Sequence, residues 1–225
     1  MGNSKCLASL PVIELFHSIQ GEALSVGRNA VFLRLAKCNL NCQWCDTGYA
    51  KTGGTYRMLD KIVERIRSYP TCYVVITGGE PLIHSKALEK LIDKFPAWYQ
   101  FEIETNGTFY PLEEIKCKVR YNVSPKLYSS GNPFVHRFKP EILTKFLNED
   151  AIFKFVVDGD LDKADLKLIL KKVNIPPDRV WIMAQGKTEE EQKKNSLSII
   201  EFVKGQGYNL SPRLHIWLYG QKKGV

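Results

Sequence analysis

The sequence predicts an α/β protein built as a partial, open (β/α)6 barrel. Three observations lead there. Apolar strand-like runs alternate with amphipathic stretches, the pattern of a parallel sheet joined by helical crossovers. About six such units fit the length, too few to close an eight-fold barrel. Polar, glycine-bearing loops follow the strands, at the end where parallel α/β folds place their chemistry.

The elements run in order. Ala30–Ala36 is an uninterrupted apolar run apart from Arg34 and reads as a buried strand. Met58–Tyr69 follows as a helix, with Leu59, Ile62, Val63 and Ile66 on one face. Cys72–Thr77 is a second strand and Ser85–Phe95 a second helix. Gln100–Glu104 and Val119–Val123 are the third and fourth strands. Pro125 to Pro140 carries Ser-Ser-Gly and Asn-Pro signals and reads as a long loop. Ile152–Val157 is the fifth strand, followed by the helix Leu161–Val173. Arg179–Met183 is the sixth, followed by the helix Thr188–Lys204. Arg213–Leu218 reads as a last strand. No repeat, low-complexity tract or linker interrupts the series, so one domain spans residues 1–225.

Composition narrows the class. The 44% hydrophobic content is that of an ordinary globular chain. The net charge of +8 comes from scattered lysines such as Lys171-Lys172 and Lys222-Lys223. Without an aromatic-interleaved basic stripe, that charge points to a solvated exterior around an anion-binding site and away from nucleic acid. The N-terminus lacks a signal-peptide h-region, and no stretch reaches the roughly 20 apolar residues of a membrane span. Three clustered and three scattered cysteines do not form a secreted disulfide framework. These features predict a soluble cytoplasmic protein, with Cys6, Cys72 and Cys117 as buried free thiols.

The clustered cysteines decide the function. Cys38, Cys42 and Cys45 are spaced C-x3-C-x2-C on the loop that leaves the first predicted strand. Three thiolates on one short loop can hold three corners of an iron–sulfur cube, leaving the fourth iron for a substrate or cofactor. Zinc is the alternative, but structural zinc takes four ligands, commonly as two pairs, and no second pair is visible. The four histidines show no metal-ligand spacing and read as packing or surface residues, although His215, in the last predicted strand, could face the site.

The other strand-end loops are polar as well. Thr77-Gly-Gly-Glu80-Pro81 can bring backbone N–H groups close to a ligand, or be only a tight turn. Glu104-Thr-Asn-Gly107 is similarly ambiguous. Ser124-Pro125-Lys126 offers a hydroxyl and an ammonium, and Met183-Ala184-Gln185-Gly186 closes the sixth strand. Arg34 interrupts an apolar strand, and a buried guanidinium needs an anion. A substrate carboxylate or a structural Asp or Glu would serve. Gln20 and Glu22 offer hydrogen-bonding groups, or form a polar turn.

The C-x3-C-x2-C loop, with Trp44 before its last cysteine, together with Thr77–Pro81, resembles the radical S-adenosylmethionine superfamily. The resemblance implies a 4Fe-4S cluster whose open iron chelates S-adenosylmethionine. An electron from the cluster then releases a 5′-deoxyadenosyl radical.

Ile19-Gln-Gly-Glu22, Arg34, Cys45-Asp-Thr47, Glu104–Gly107 and Ser124–Lys126 together are similar to the 7-carboxy-7-deazaguanine synthase family, end to end. That likeness implies a carbon–nitrogen lyase converting 6-carboxy-5,6,7,8-tetrahydropterin to 7-carboxy-7-deazaguanine with loss of ammonia, on the route to queuosine. It implies cluster ligation by Cys38, Cys42 and Cys45. S-adenosylmethionine contacts fall to Asp46, Gly79, Ser124, Pro125, Lys126 and Met183–Gly186. Pterin contacts fall to Ile19, Gln20, Gly21, Arg34, Thr77 and Val225, and Mg2+ to Thr47. It also implies a homodimer and an electron donor such as flavodoxin or ferredoxin. Two departures stand out. Ala23 replaces the last glycine of the family's Gln-Gly-Glu-Gly, and the Met183–Gly186 and C-terminal stretches match by position more than by identity.

Two other readings compete. A small glycyl-radical-enzyme activase shares the cysteine loop, but Gln20–Glu22, Arg34 and Cys45–Thr47 argue against it. A basic nucleic-acid-binding protein with a metal site is the non-catalytic alternative.

Overall fold

The computed structural model describes residues 8–113 and 119–225. Six strands lie where the sequence places them: β2 (Asn29–Leu35), β4 (Tyr73–Gly78), β5 (Gln100–Thr105), β6 (Val119–Val123), β7 (Ile152–Val157) and β8 (Val180–Ala184). Each pairs with the next in parallel. Three strands were not anticipated. β1 (Ser9–Ile19) runs antiparallel to β2, and β3 (Thr55–Met58) runs antiparallel to β1. A two-residue β9 (Asn209–Leu210) extends the far edge, giving the sheet order β3-β1-β2-β4-β5-β6-β7-β8-β9. The end strands do not pair with each other, so the barrel is open. The sheet is nonetheless curved: Glu22, just after β1, reaches Lys154 on β7 across the intervening strands.

The crossover helices follow the expected spacing. α1 (Leu59–Arg67) buries Leu59, Ile62, Val63 and Ile66, positions i, i+3, i+4 and i+7. α2 is Ser85–Ile92 and α3 is a single turn, Phe134–Arg137. α4 (Pro140–Asn148) starts with proline at its first position, where the missing N–H costs nothing. α5 is Asp160–Val173. α6 (Glu189–Gly205) opens on a capping box between Thr188 and Glu191. The core between helices and sheet includes Phe101, Phe146, Phe153 and Phe155, all fully buried. Each contributes about 1.5–3 kcal/mol by leaving water.

Three expectations need correction. Arg213–Leu218 is not a strand: Leu214–Tyr219 forms α7. A six-residue apolar run does not distinguish strand from helix by periodicity. Here Ile216 alone in that helix is buried. The segment from Pro125 to Pro140 is not all loop, since α3 and a 3-10 turn at Tyr128–Ser130 lie within it. Cys72 is exposed rather than buried, because it precedes β4 at the sheet's N-terminal edge. Cys6 and Cys117 fall outside the described residues. No helix among the described residues is long and apolar enough to cross a membrane.

Candidate active site

A cavity of about 450 Å³ opens at the C-terminal ends of the parallel strands. It is lined by the cysteine loop, the loops after β4, β5, β6 and β8, the turn after β1, and the C-terminal segment. All the predicted site residues line it except Pro125 and Ala184. Ala184 is buried in β8, its carbonyl accepting from Gln192 Nε2 at 3.1 Å.

Backbone geometry places the cysteine loop against the Thr77–Pro81 loop. Gly78 has φ +142°, and a Cβ there would lie 2.1 Å from the Leu35 carbonyl oxygen. A Cβ on Gly79 would lie 2.0 Å from the Lys37 carbonyl oxygen. Only glycine permits that approach. The Gly79 N–H then donates to Leu35 O at 3.0 Å and the Glu80 N–H to Lys37 O at 2.7 Å. Glu80 is fully buried and accepts from Leu82 N, Thr105 Oγ1 and Asn106 N. Burial pushes its pKa up against the pull of those donors.

Two further staples fix the cysteines. Asn39 Oδ1 accepts from Asn106 Nδ2 at 2.9 Å. Asn132 accepts from Asn41 N at 2.8 Å and donates Nδ2–H to Cys42 Sγ at 3.3 Å. Cys38 Sγ accepts from Leu40 N at 3.5 Å. Such donors suit thiolates, whose charge they stabilise. Among the described residues no three His, Cys, Asp or Glu side chains converge on a point that would hold a single metal ion. A cube does not require that, since each thiolate takes its own iron. Three half-buried free thiols on one loop beside one cavity therefore fit a 4Fe-4S cluster.

The rest of the lining is charged. Arg34 on β2 donates Nε–H to Glu14 at 2.8 Å, and Tyr49 donates to the same oxygen at 2.9 Å. Glu14 thus supplies the anion that the buried guanidinium needed. The terminal nitrogens of Arg34 make no hydrogen bond among the described residues, and Arg34 lines the cavity. Gln20 Nε2 donates to Glu102 at 2.9 Å and to Glu104 at 3.1 Å, while Thr77 donates to Glu104 at 2.7 Å. Glu22 is paired with Lys154 and, at 3.2 Å, with Arg213 Nε. Burial would raise the Glu22 pKa, but Lys154 and Arg213 outweigh it and hold the carboxylate far below its usual range. Arg213 also bonds Asp46 and, at 2.9 Å, the Gly186 carbonyl. It thereby joins the turn after β1, the cysteine loop and the β8 loop.

Ala23 sits in the left-handed region at φ +53° with no exposure. That conformation costs an alanine about 1–2 kcal/mol. The Ala23 N–H bond to Ser211 Oγ at 2.7 Å helps to hold it.

Lys154, Glu102, Glu14, Arg213 and Asn132 were missed in the sequence. Lys154 in IFKFVV and Glu102 in QFEIET carry the signal that singled out Arg34, a charge interrupting a buried strand. Arg213 and Asn132 sit in loops and carry no such signal.

An open, mostly parallel sheet with a three-cysteine loop at the C-terminal end of its strands defines a radical S-adenosylmethionine enzyme, and residues 34–126 match the Radical SAM superfamily. The chain also aligns with the 7-carboxy-7-deazaguanine synthase of Pyrobaculum aerophilum at 35% identity, covering 95% of this chain and 96% of that one. With that of Halobacterium salinarum it shares 31% identity over 94% of this chain and 91% of that one. The crystal structure of QueE from Escherichia coli shares the fold, with a TM-score of 0.70, 24% identity, and coverage of 96% and 99%. The chain belongs to the 7-carboxy-7-deazaguanine synthase family, and is an enzyme that uses a 4Fe-4S cluster and S-adenosylmethionine.

Proposed function

We propose that this chain converts 6-carboxy-5,6,7,8-tetrahydropterin to 7-carboxy-7-deazaguanine with loss of ammonia, on the route to queuosine and related 7-deazapurines. The observation that carries the reading is one cavity lined both by the thiol loop and by Arg34, Gln20 and Glu104. Bound together, the cluster and S-adenosylmethionine supply abstraction of a hydrogen atom from substrate.

The residues divide that work. Cys38, Cys42 and Cys45 hold the cluster. Asp46, Gly79, Ser124, Lys126, Met183, Gln185 and Gly186 contact S-adenosylmethionine, with Pro125 and Ala184 shaping the same loops. Arg34 takes the substrate carboxylate on its terminal nitrogens. Ile19, Gln20, Gly21, Thr77 and Val225 enclose the pterin. Thr47 Oγ1, 3.8 Å from Cys45 Sγ, offers a hard oxygen ligand to Mg2+, with substrate oxygens and water completing the shell. Residues 1–225 act as one domain, and the enzyme works as a homodimer. Lys51, Lys187, Lys222 and Lys223 line the cavity and suit an acidic electron donor such as flavodoxin or ferredoxin.

The test is an anaerobic incubation of reconstituted protein with the tetrahydropterin, S-adenosylmethionine, Mg2+ and a reductant. The deazaguanine should accumulate over many turnovers with little net loss of S-adenosylmethionine. Destruction of one S-adenosylmethionine per product, or no product, refutes the reading. Thr47→Ala should lose most of the Mg2+ stimulation while keeping its iron.

A further inference from the structure

Below the cavity floor lies a buried polar cluster. Glu102 on β5 is 1% exposed. Its Oε2 accepts from Ser25 Oγ at 2.5 Å and from the Tyr73 hydroxyl at 2.6 Å. Its Oε1 accepts from Gln20 Nε2 at 2.9 Å. Three neutral donors therefore converge on one carboxylate, and no cation pairs with it among the described residues. Burial, and then the Glu102 charge, push the Tyr73 pKa well above its ordinary value, so Tyr73 stays a donor.

The consequence falls on Gln20. An amide NH2 has two hydrogens, and both are taken by carboxylates, one by Glu102 and one by Glu104. An ionised carboxylate only accepts, so the amide cannot flip without setting its carbonyl oxygen against two negative charges. Its Oε1 accepts from Glu22 N at 3.3 Å and keeps one lone pair open. Glu104 lines the cavity too, and each of its oxygens accepts one hydrogen bond, which leaves further lone pairs open. Toward a ligand, the Gln20 and Glu104 side chains can therefore accept but not donate.

We propose that Glu102 is a positioning residue: from beneath the site it locks the Gln20 amide with its carbonyl toward the cavity, so that the wall selects a substrate edge carrying adjacent N–H donors. The inference rests on the functional reading above, in which the amino-pyrimidinone end of the pterin supplies that edge while Arg34 takes the carboxylate. Glu102 acts only through Gln20.

The test is anaerobic calorimetry on cluster-loaded protein saturated with S-adenosylmethionine and without reductant, titrated with 6-carboxy-5,6,7,8-tetrahydropterin. E102M removes the acceptor and should raise the substrate Kd about tenfold, the weight of one misoriented hydrogen bond. E102Q can still accept from Gln20 while donating to Ser25 and Tyr73, so it should stay within about threefold of the parent. In a Q20M background, E102M should add nothing, and the Kd for S-adenosylmethionine should not move in any variant. Should the E102M chain not fold, Y73F carries the same test, with a rise of about two- to threefold that disappears in Q20M. Unchanged substrate affinity in E102M, or an effect that adds in full to Q20M, overturns the proposal. Failure of the parent to bind the pterin would instead strike the functional reading.

Discussion

The Glu80 carboxylate accepts the backbone N–H of Asn106 at 2.6 Å, tying the loop after β4 to the loop after β5. Asn106 passes the constraint on, since its side chain donates to Asn39 in the cysteine loop. Glu80 thus positions cysteines it never touches. Glu80→Gln sets an amide N–H against one of the donors now satisfied. It should cost about 1–3 kcal/mol in denaturant unfolding and slow cluster reconstitution. Parent-like stability would show that the loop finds other acceptors.

Asn132 donates to Cys42 Sγ. A hydrogen bond to a cluster thiolate favours the reduced, more negative state. Asn132→Leu should retain its iron but show a more negative midpoint potential in a spectroscopic redox titration. A potential that does not move, or moves positive, would remove Asn132 from the tuning of the cluster.

Lys154 and Glu22 form a buried pair, with side-chain exposures of 7% and 12%. Removing one member of such a pair costs roughly 3–5 kcal/mol. Arg213 remains beside Glu22, so Lys154→Met should fall at the low end of that range. Loss of well under 1 kcal/mol would mean that Arg213 alone neutralises Glu22.

His215 is half-buried, and its desolvation lowers its pKa below 6.5, with Glu22 pulling the other way. The unfolded chain then binds this proton more readily than the fold. The resulting stability is complete above about pH 6.5 and is lost as pH falls toward the folded pKa. Glu22 behaves differently: its pKa is depressed from 4.5, so its contribution persists until far more acid pH. The denaturant midpoint should therefore drop between about pH 7.5 and pH 5.5. His215→Gln should lessen the drop, and His84, lowered by burial as well, should supply the remainder. A midpoint that rises on acidification contradicts the assignment.

The six parallel strands and their crossover helices were legible because each is a local pattern, an apolar run or an i, i+3, i+4 face. The cysteine loop was legible because its chemistry is packed into eight residues. β1 and β3 were not, because a half-buried antiparallel edge gives only weak alternation over SLPVIELFHSI. The last segment was misread because strand or helix was settled by what it docks against: Leu214 N bonds Gly21 O at 2.9 Å, and a Cβ on Gly21 would strike His215.

By itself, then, the sequence determined the strand order along the chain, the thiol triad and the end of the barrel that carries them. Only the tertiary structure decided which charges meet. Glu14 with Arg34, Glu22 with Lys154 and Arg213, and Gln20 with Glu102 are separated by 20 to 191 positions in the chain. The physical reason is that a buried charge must find a partner, but the chain sets no distance along the sequence at which it must do so. Strand register brings Glu14 to Arg34, and curvature of the sheet brings Glu22 to Lys154.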